Sequence, residues 1–324
     1  MKRTAFIIGI LLAAGCLAGS LTGCANDGAG NRTGRDGRGI RACRGNRAMT
    51  EHVILIGLDG MGSAYFEPEE LPAIKSLMEE GCWTTAKRSA FPTSSAINWA
   101  TMFMGAGTEL HGYTQWYSRT PELPSRVVND HGIFPTINSI LREQRPDAEI
   151  GAIYEWETIK YLVDSLALNY FEQAADWEQN PSHLADLAAK YITEKKPVLF
   201  TIVFNQPDHV GHADGWGTDE YHQVVRQYDS EVAKILQAIR DAGIWETSTV
   251  IVTADHGGID KGHGKITPAE YETPFVIAGK GIRQGGEFSE SMMQYDVAST
   301  IAALLGLEQP QVWTGRPMSQ CFER

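Results

Sequence analysis

Three stretches of this chain, Val53–Gly57 (VILIG), Val198–Phe204 (VLFTIVF) and Thr249–Thr253 (TVIVT), have the length of a strand and almost no polar interruption. A sheet with one wet face would alternate apolar and polar residues, so unbroken apolarity predicts strands buried on both faces, as in a parallel sheet between two helix layers. Each run stops at residues that carry chemistry. The first ends at Leu58-Asp59-Gly60, and the second at Asn205-Gln206-Pro207-Asp208 with His212 four residues on. The third ends at Ala254-Asp255-His256-Gly257. In open α/β sheets the ligand crevice lies at the carboxyl ends of the strands, so these residues can meet although they are far apart in sequence.

The segments between fit that plan. Helical spacing or a glycine stop marks Leu71–Gly81, Leu184–Thr193, Tyr295–Leu305 and a long amphipathic stretch opened by Thr218 and closed at Gly243. Pro135–Arg142 reads as a helix with proline in its first turn. Thr84–Phe91, Glu149–Tyr154 and Pro274–Ala278 read as further strands. With no internal repeat and no second linker, the expected fold is a single α/β domain over residues 51–324, a doubly wound, mostly parallel sheet with helices on both faces.

Ahead of that domain, Lys2 and Arg3 precede an apolar segment from Ala5 to about Ala18, the pattern of a secretory signal over residues 1–23. Leu21-Thr22-Gly23-Cys24 is similar to a bacterial lipobox, which predicts export and lipid anchoring to the cell envelope through Cys24. Residues 24–50, rich in Gly, Asn and Arg, read as a flexible tether. An oxidising compartment allows one disulfide among Cys43, Cys82 and Cys321 and leaves their pairing open. The formal net charge of -12 argues against a nucleic-acid binder and leaves room for a small anionic substrate if cations supply local positive charge.

A further stretch, Phe91–Gly112, sets the hydroxyls of Thr93, Ser94 and Ser95 directly before an apolar run of near-helical spacing. Capping residues look like this, and so does a helix N-terminus that seats an anion. Asp and His are also ligand types for a zinc-like cation. Asp59, Asp208, His212, Asp255 and His256, with Ser95 and His263, suffice for two ions with open positions.

Together, Leu58-Asp59-Gly60, Pro92-Thr93-Ser94-Ser95 through His111-Gly112, Asp208 with His212, and Thr253-Ala254-Asp255-His256-Gly257 resemble the alkaline phosphatase superfamily, and within it the type I phosphodiesterase and nucleotide pyrophosphatase branch. The resemblance runs from about Val53 to Pro317. It implies an alkaline phosphatase-like three-layer sandwich and two zinc ions, with manganese or another divalent ion as the alternative. Asp208, His212 and His263 would hold one ion; Asp59, Asp255 and His256 would hold the other together with the nucleophile. The family's PT-x-T segment puts that nucleophile on Ser95, leaving Thr93 and Ser94 as capping or neighbouring groups. The implied reaction is hydrolysis of a phosphodiester or nucleotide pyrophosphate through a phosphoserine, with the cations, the helix N-terminus and Asn98 stabilising the equatorial oxygens.

Two departures bear on substrate. His263 comes seven residues after His256, much earlier than in the phosphodiesterase branch, and Trp116 stands where that branch carries a phosphate-binding asparagine. A phosphomonoesterase on the same site is therefore an alternative. A sulfatase would need a C/S-x-P-x-R context that Ser95-Ala96-Ile97-Asn98-Trp99 lacks. A surface lipoprotein that only binds a ligand is a third reading. Tyr113, Trp116 and Trp216 are candidate walls of the substrate pocket, able to stack a ring.

Overall fold

The computed structural model describes residues 47–323. The signal segment, Cys24, Cys43 and most of the tether lie outside the described residues. Met49 and Thr50, read above as the end of the tether, belong to the folded body: Met49 N–H donates to Leu304 O at 2.8 Å, and buried Thr50 donates its hydroxyl to Thr247 O at 2.7 Å. Among the described residues no helix is long and apolar enough to cross a membrane.

The strands are β1 (His52–Leu58), β2 (Cys82–Arg88), β3 (Ile150–Tyr154), β4 (Tyr170–Gln173), β5 (Leu199–Phe204), β6 (Ser248–Thr253), β7 (Glu272–Gly279), β8 (Gly286–Glu287) and β9 (Met292–Met293). They form one sheet in the order β4-β3-β5-β1-β6-β7-β2-β8, with β9 pairing to β2. The pairs from β4 to β6 are parallel; β7 runs antiparallel to both β6 and β2. The helices are α1 (Pro72–Glu80), α2 (Ser95–Met104), α3 (Thr108–His111), α4 (Ile137–Gln144), α5 (His183–Lys195), α6 (Asp208–Ala213), α7 (Asp219–Asp241), α8 (Pro268–Tyr271) and α9 (Asp296–Leu304).

The apolar runs are explained by what covers them. In β1, Val53 and Leu55 pack on one side with Trp99 and Phe103 of α2, Leu141 of α4 and Ile301 of α9. Ile54, Ile56 and Leu58 pack on the other side with Leu77 of α1, Leu184 of α5 and Val232 of α7. Successive strand residues face opposite layers, so both registers must be apolar. Each such side chain, when fully buried, contributes roughly 1.5–3 kcal/mol.

Several local readings change. Pro135 precedes α4 instead of opening it: Thr136 is the N-cap, accepting from Ser139 N–H at 3.1 Å, and Ser139 Oγ accepts in return from Thr136 N–H. Thr93 does not cap α2, because its hydroxyl faces away, donating to Lys265 O at 2.9 Å and accepting from Gly264 N–H at 3.0 Å. Ser94 holds the N-cap position without a side-chain bond. Cys82 and Cys321 are buried free thiols, and the Cys82 thiol donates to Arg283 O at 3.4 Å.

Candidate metal centre and nucleophile

Because β5, β1 and β6 are adjacent and parallel, their carboxyl ends open on one edge of the sheet. Asp59 follows β1, Asp208 opens α6 three residues past Asn205, and Asp255 and His256 follow β6. The turn after β1 is fixed at Gly60, whose φ of +75° suits glycine and whose added Cβ would lie 2.7 Å from the Asp208 Cα. Asp208 N–H donates to Asp59 O at 2.8 Å, and Gly60 N–H donates to Asp255 Oδ1 at 3.0 Å. One helical turn past Asp208, His212 shares its face of α6, with Nε2 3.5 Å from Asp208 Oδ2. His263 arrives on the loop after β6, its Nε2 3.5 Å from Asp208 Oδ1.

Two clusters result, Asp208/His212/His263 and Asp59/Asp255/His256, each with ligand atoms within 4.8 Å of one another. Ser95 Oγ, the first side chain of α2, lies 3.1 Å from His256 Nε2 and 3.5 Å from Asp59 Oδ1. Stacking of the His256 and His263 rings at 3.8 Å between centroids joins the clusters. The seven residues named from sequence as nucleophile and metal ligands are thus brought together.

The donor set fits divalent cations. His212, His256 and His263 lie with Nδ1 near the backbone oxygens of Lys261, Gly257 and Thr93, at 3.1, 2.9 and 2.7 Å. Those partners assign the proton to Nδ1, so all three rings turn an Nε2 lone pair inward. His212 Nε2 and His263 Nε2 then face each other at 3.0 Å with no proton assigned between them. Asp208 Oδ1 and Asp255 Oδ2 are buried without a hydrogen-bond partner. Burial holds His256 and His263 down at about 3, so both are neutral. Asp59 and Asp208 are held well above the usual carboxylate range by burial and then by the charge of Asp255; burial raises Asp255 itself to about 6. The Lys87 ammonium lies within electrostatic reach of Asp255 but burial pushes it down to about 7, so bound cations would supply the counter-charge these three carboxylates need.

Ser94, Ser95, Asp208, His212 and His263 open into a cavity of about 470 Å³ whose further walls are Trp116, Trp156 and Asn205. Trp116 is 58 % exposed and does reach the cavity. Tyr113 and Trp216 do not line it. Tyr113 is buried against His111, and Trp216 lies beneath the cluster, donating Nε1–H to Gly60 O at 2.9 Å and packing edge-on to His212. Asn98 is also reassigned. Its Oδ1 accepts from Ala90 N–H at 2.7 Å and its Nδ2 donates to the oxygens of Ala90, Pro92 and Ser94, so the amide holds the loop that leads into Ser95 and has nothing left for a ligand. Three contributors were not named from sequence: Trp99, which donates Nε1–H to Asp59 Oδ2 at 2.9 Å, and the cavity residues Trp156 and Asn205. The two cavity residues stand at the ends of β3 and β5, where the strand-end rule could have found them. A second cavity of about 540 Å³ lies between β4 and α5, where Tyr170 and Tyr191 already bond Glu172 and Glu149.

The family model described as type I phosphodiesterase / nucleotide pyrophosphatase matches residues 53–271. The rat ectonucleotide pyrophosphatase/phosphodiesterase family member 7 is 24% identical over 229 residues, 65% of this chain and 51% of that protein. The chain spans about half the length of the curated relatives it matches. Among solved structures, murine ectonucleotide pyrophosphatase/phosphodiesterase 5 in complex with AMP aligns with a TM-score of 0.63 at 16% identity, over 80% of this chain and 96% of that one. A putative sulfatase from Bacteroides thetaiotaomicron aligns with a TM-score of 0.67 at 14% identity, over 83% of this chain and 74% of that one. These likenesses carry the alkaline phosphatase-like fold, shared by esterases of two kinds. The match over residues 53–271 decides between them: the chain belongs to the type I phosphodiesterase / nucleotide pyrophosphatase family.

Proposed function

We propose that this chain hydrolyses phosphate esters of the phosphodiester or nucleotide pyrophosphate type by transferring the phosphoryl group to Ser95 and then to water, with two zinc ions as cofactors. The observation that carries the reading is Ser95 Oγ at the start of α2, 3.1 Å from His256 Nε2 and 3.5 Å from Asp59 Oδ1, opening into the cavity that Asp208, His212 and His263 share. Asp59, Asp255 and His256 would hold one cation and Asp208, His212 and His263 the other; bound there, they would supply Lewis-acid activation and neutralise charge on the phosphoryl oxygens.

The chain's own residues do the rest. Ser95 Oγ forms the new bond to phosphorus as the bond to the leaving oxygen breaks, and Asp59 Oδ1 accepts from the Ser95 hydroxyl where its proton departs. Trp99 holds Asp59 from the far side through Oδ2, and Asn98 holds the loop that leads into Ser95. The N-terminal end of α2 lends its positive pole to the phosphoryl group. Water then cleaves the phosphoserine and restores the hydroxyl. Trp116 and Trp156 give the leaving group two aromatic walls, which suits a ring-bearing substrate. The AMP complex of the murine relative is in keeping with a nucleotide.

A monoesterase is the second reading, favoured by Trp116 standing where a phosphate-binding asparagine was expected. Rates on nitrophenyl phosphate, bis-nitrophenyl phosphate and nitrophenyl sulfate separate the readings. The diester is expected to be turned over fastest; a faster monoester would favour the second reading, and sulfate hydrolysis alone would overturn both. We also propose export and lipid anchoring through Cys24, supported by the leader and lipobox-like sequence. Incorporation of labelled fatty acid that vanishes in Cys24→Ala is the expected result.

A further inference from the structure

The cavity beside Ser95 has few groups free to grip a phosphoryl oxygen. Asn98 is spent on backbone. The Ala96 N–H, at the start of α2, is taken by Trp116 O at 3.2 Å, so the residue that displaced the expected asparagine also consumes a helix donor. Asn205 differs from both. Its backbone N–H is fixed, donating to Glu155 Oε2 at 2.7 Å, while among the described residues its side-chain amide has no hydrogen-bond partner. It lines the same cavity as Ser94, Ser95 and Asp208. A half-buried amide held by its backbone, with its donors unused beside a nucleophile, is set up for a ligand.

Glu155 is what holds it. That residue directly follows β3, the neighbour of β5, and donates its own N–H to Val203 O at 3.1 Å. Its carboxyl is 1 % exposed, and Oε1 has no partner. A buried carboxyl is costly unless it secures something, and what it secures here is the Asn205 backbone.

We propose that the Asn205 side-chain amide donates to a non-bridging oxygen of the phosphoryl group transferred to Ser95, with Glu155 as the residue that positions it. The assignment rests on the phosphate-ester reading above. It explains how the site manages with Trp116 in the asparagine's usual place: the donor comes from the end of β5 instead. A neutral donor suits a pocket already crowded with Asp59, Asp208 and Asp255, where another carboxylate would repel the substrate.

The test uses the full, zinc-loaded protein. Asn205→Ala is expected to lower kcat/KM on bis-nitrophenyl phosphate by about 100-fold, the scale of one lost oxyanion donor. The inhibition constant of inorganic phosphate should rise by about 10-fold, with zinc content and melting temperature unchanged. Asn205→Asp, of the same shape, should lose more. Glu155→Ala should lose as much as Asn205→Ala and add nothing in the double variant, whereas Glu155→Gln, which keeps an acceptor for the Asn205 N–H, should rescue. Unchanged turnover and phosphate inhibition in Asn205→Ala, or additive losses in the double variant, overturn the assignment. If the wild-type protein cleaves no phosphate ester, the functional reading fails separately. Calorimetric titration of wild type and Asn205→Ala with inorganic phosphate then decides the inference: weaker binding in the variant supports it, and equal or absent binding in both overturns it.

Discussion

His212 Nε2 and His263 Nε2 stand 3.0 Å apart with their Nδ1 atoms at hydrogen-bonding distance from the Lys261 and Thr93 carbonyl oxygens. Two inward lone pairs at that distance repel unless a cation sits between them and the Asp208 carboxylate. The purified protein should therefore carry about two divalent ions per chain. His263→Ala should leave about one, because the Asp59, Asp255 and His256 cluster is complete without it. Metal analysis of both proteins reads this directly, and full occupancy in the variant would remove His263 from the ligand set.

Stability should depend on pH in a way that metal reverses. Asp59, Asp208 and Asp255 are raised by burial, so the folded state binds more protons than the unfolded one. Their contribution is whole below the ordinary carboxylate value and is lost as pH rises, through about 6 for Asp255, with Asp59 and Asp208 shifted in the same direction. His256 and His263, lowered to about 3, oppose this slope only where an unfolded histidine still takes a proton. From about pH 6.5 to about pH 8 Glu155, raised by burial to about 8, adds the same sign, while Lys87, lowered by burial to about 7, opposes it because its proton is lost earlier in the folded state than in the unfolded one. A cation must displace the protons that the buried ligand carboxyls hold, so the melting-temperature gain on adding zinc to the metal-free protein should grow as pH rises across that range.

Trp99 donates to Asp59 Oδ2 and packs over the β1 backbone at Gly57. Trp99→Phe keeps most of the ring and removes the donor. Zinc affinity of the Asp59 cluster should fall by about 10- to 100-fold. Competition with a coloured chelator checks it.

Asn98→Ala separates a structural role from contact with substrate. Loss of the bonds to Ala90, Pro92 and Ser94 should lower stability by about 1–3 kcal/mol, seen in urea unfolding. A residue that touched the phosphoryl group instead would cut kcat and leave stability intact.

How much of this was legible in the sequence follows from what each residue's environment dictates. Asp59, Asp208, Asp255 and His256 could be read because they end strands whose unbroken apolarity has one explanation, burial on both faces. His263 sits on a loop without periodicity, so only its residue type and the family resemblance pointed to it. The antiparallel direction of β7 was hidden because an apolar run reads alike in either direction, and β4, β8 and β9, at four residues or fewer, are too short to carry a period. Asn98, Tyr113 and Trp216 stand off the cavity for a shared reason. A polar or aromatic side chain near a site can face the ligand or brace the backbone, and sequence does not say which way it points; Trp216 spends its N–H on Gly60 O. Asn205 and Glu155 stood at strand ends in plain view, but their use depends on the pairing of β3 with β5, which only the fold supplies.

The phosphoserine proposed above would form on Ser95 in a two-cation site. Its most direct test is to quench the zinc-loaded protein in acid during turnover of bis-nitrophenyl phosphate and map its peptides by mass spectrometry. A phosphoester on Ser95 is the expected result, and Ser95→Ala should show neither adduct nor turnover while still binding both ions. Turnover retained in Ser95→Ala, or an adduct on another residue, would contradict it.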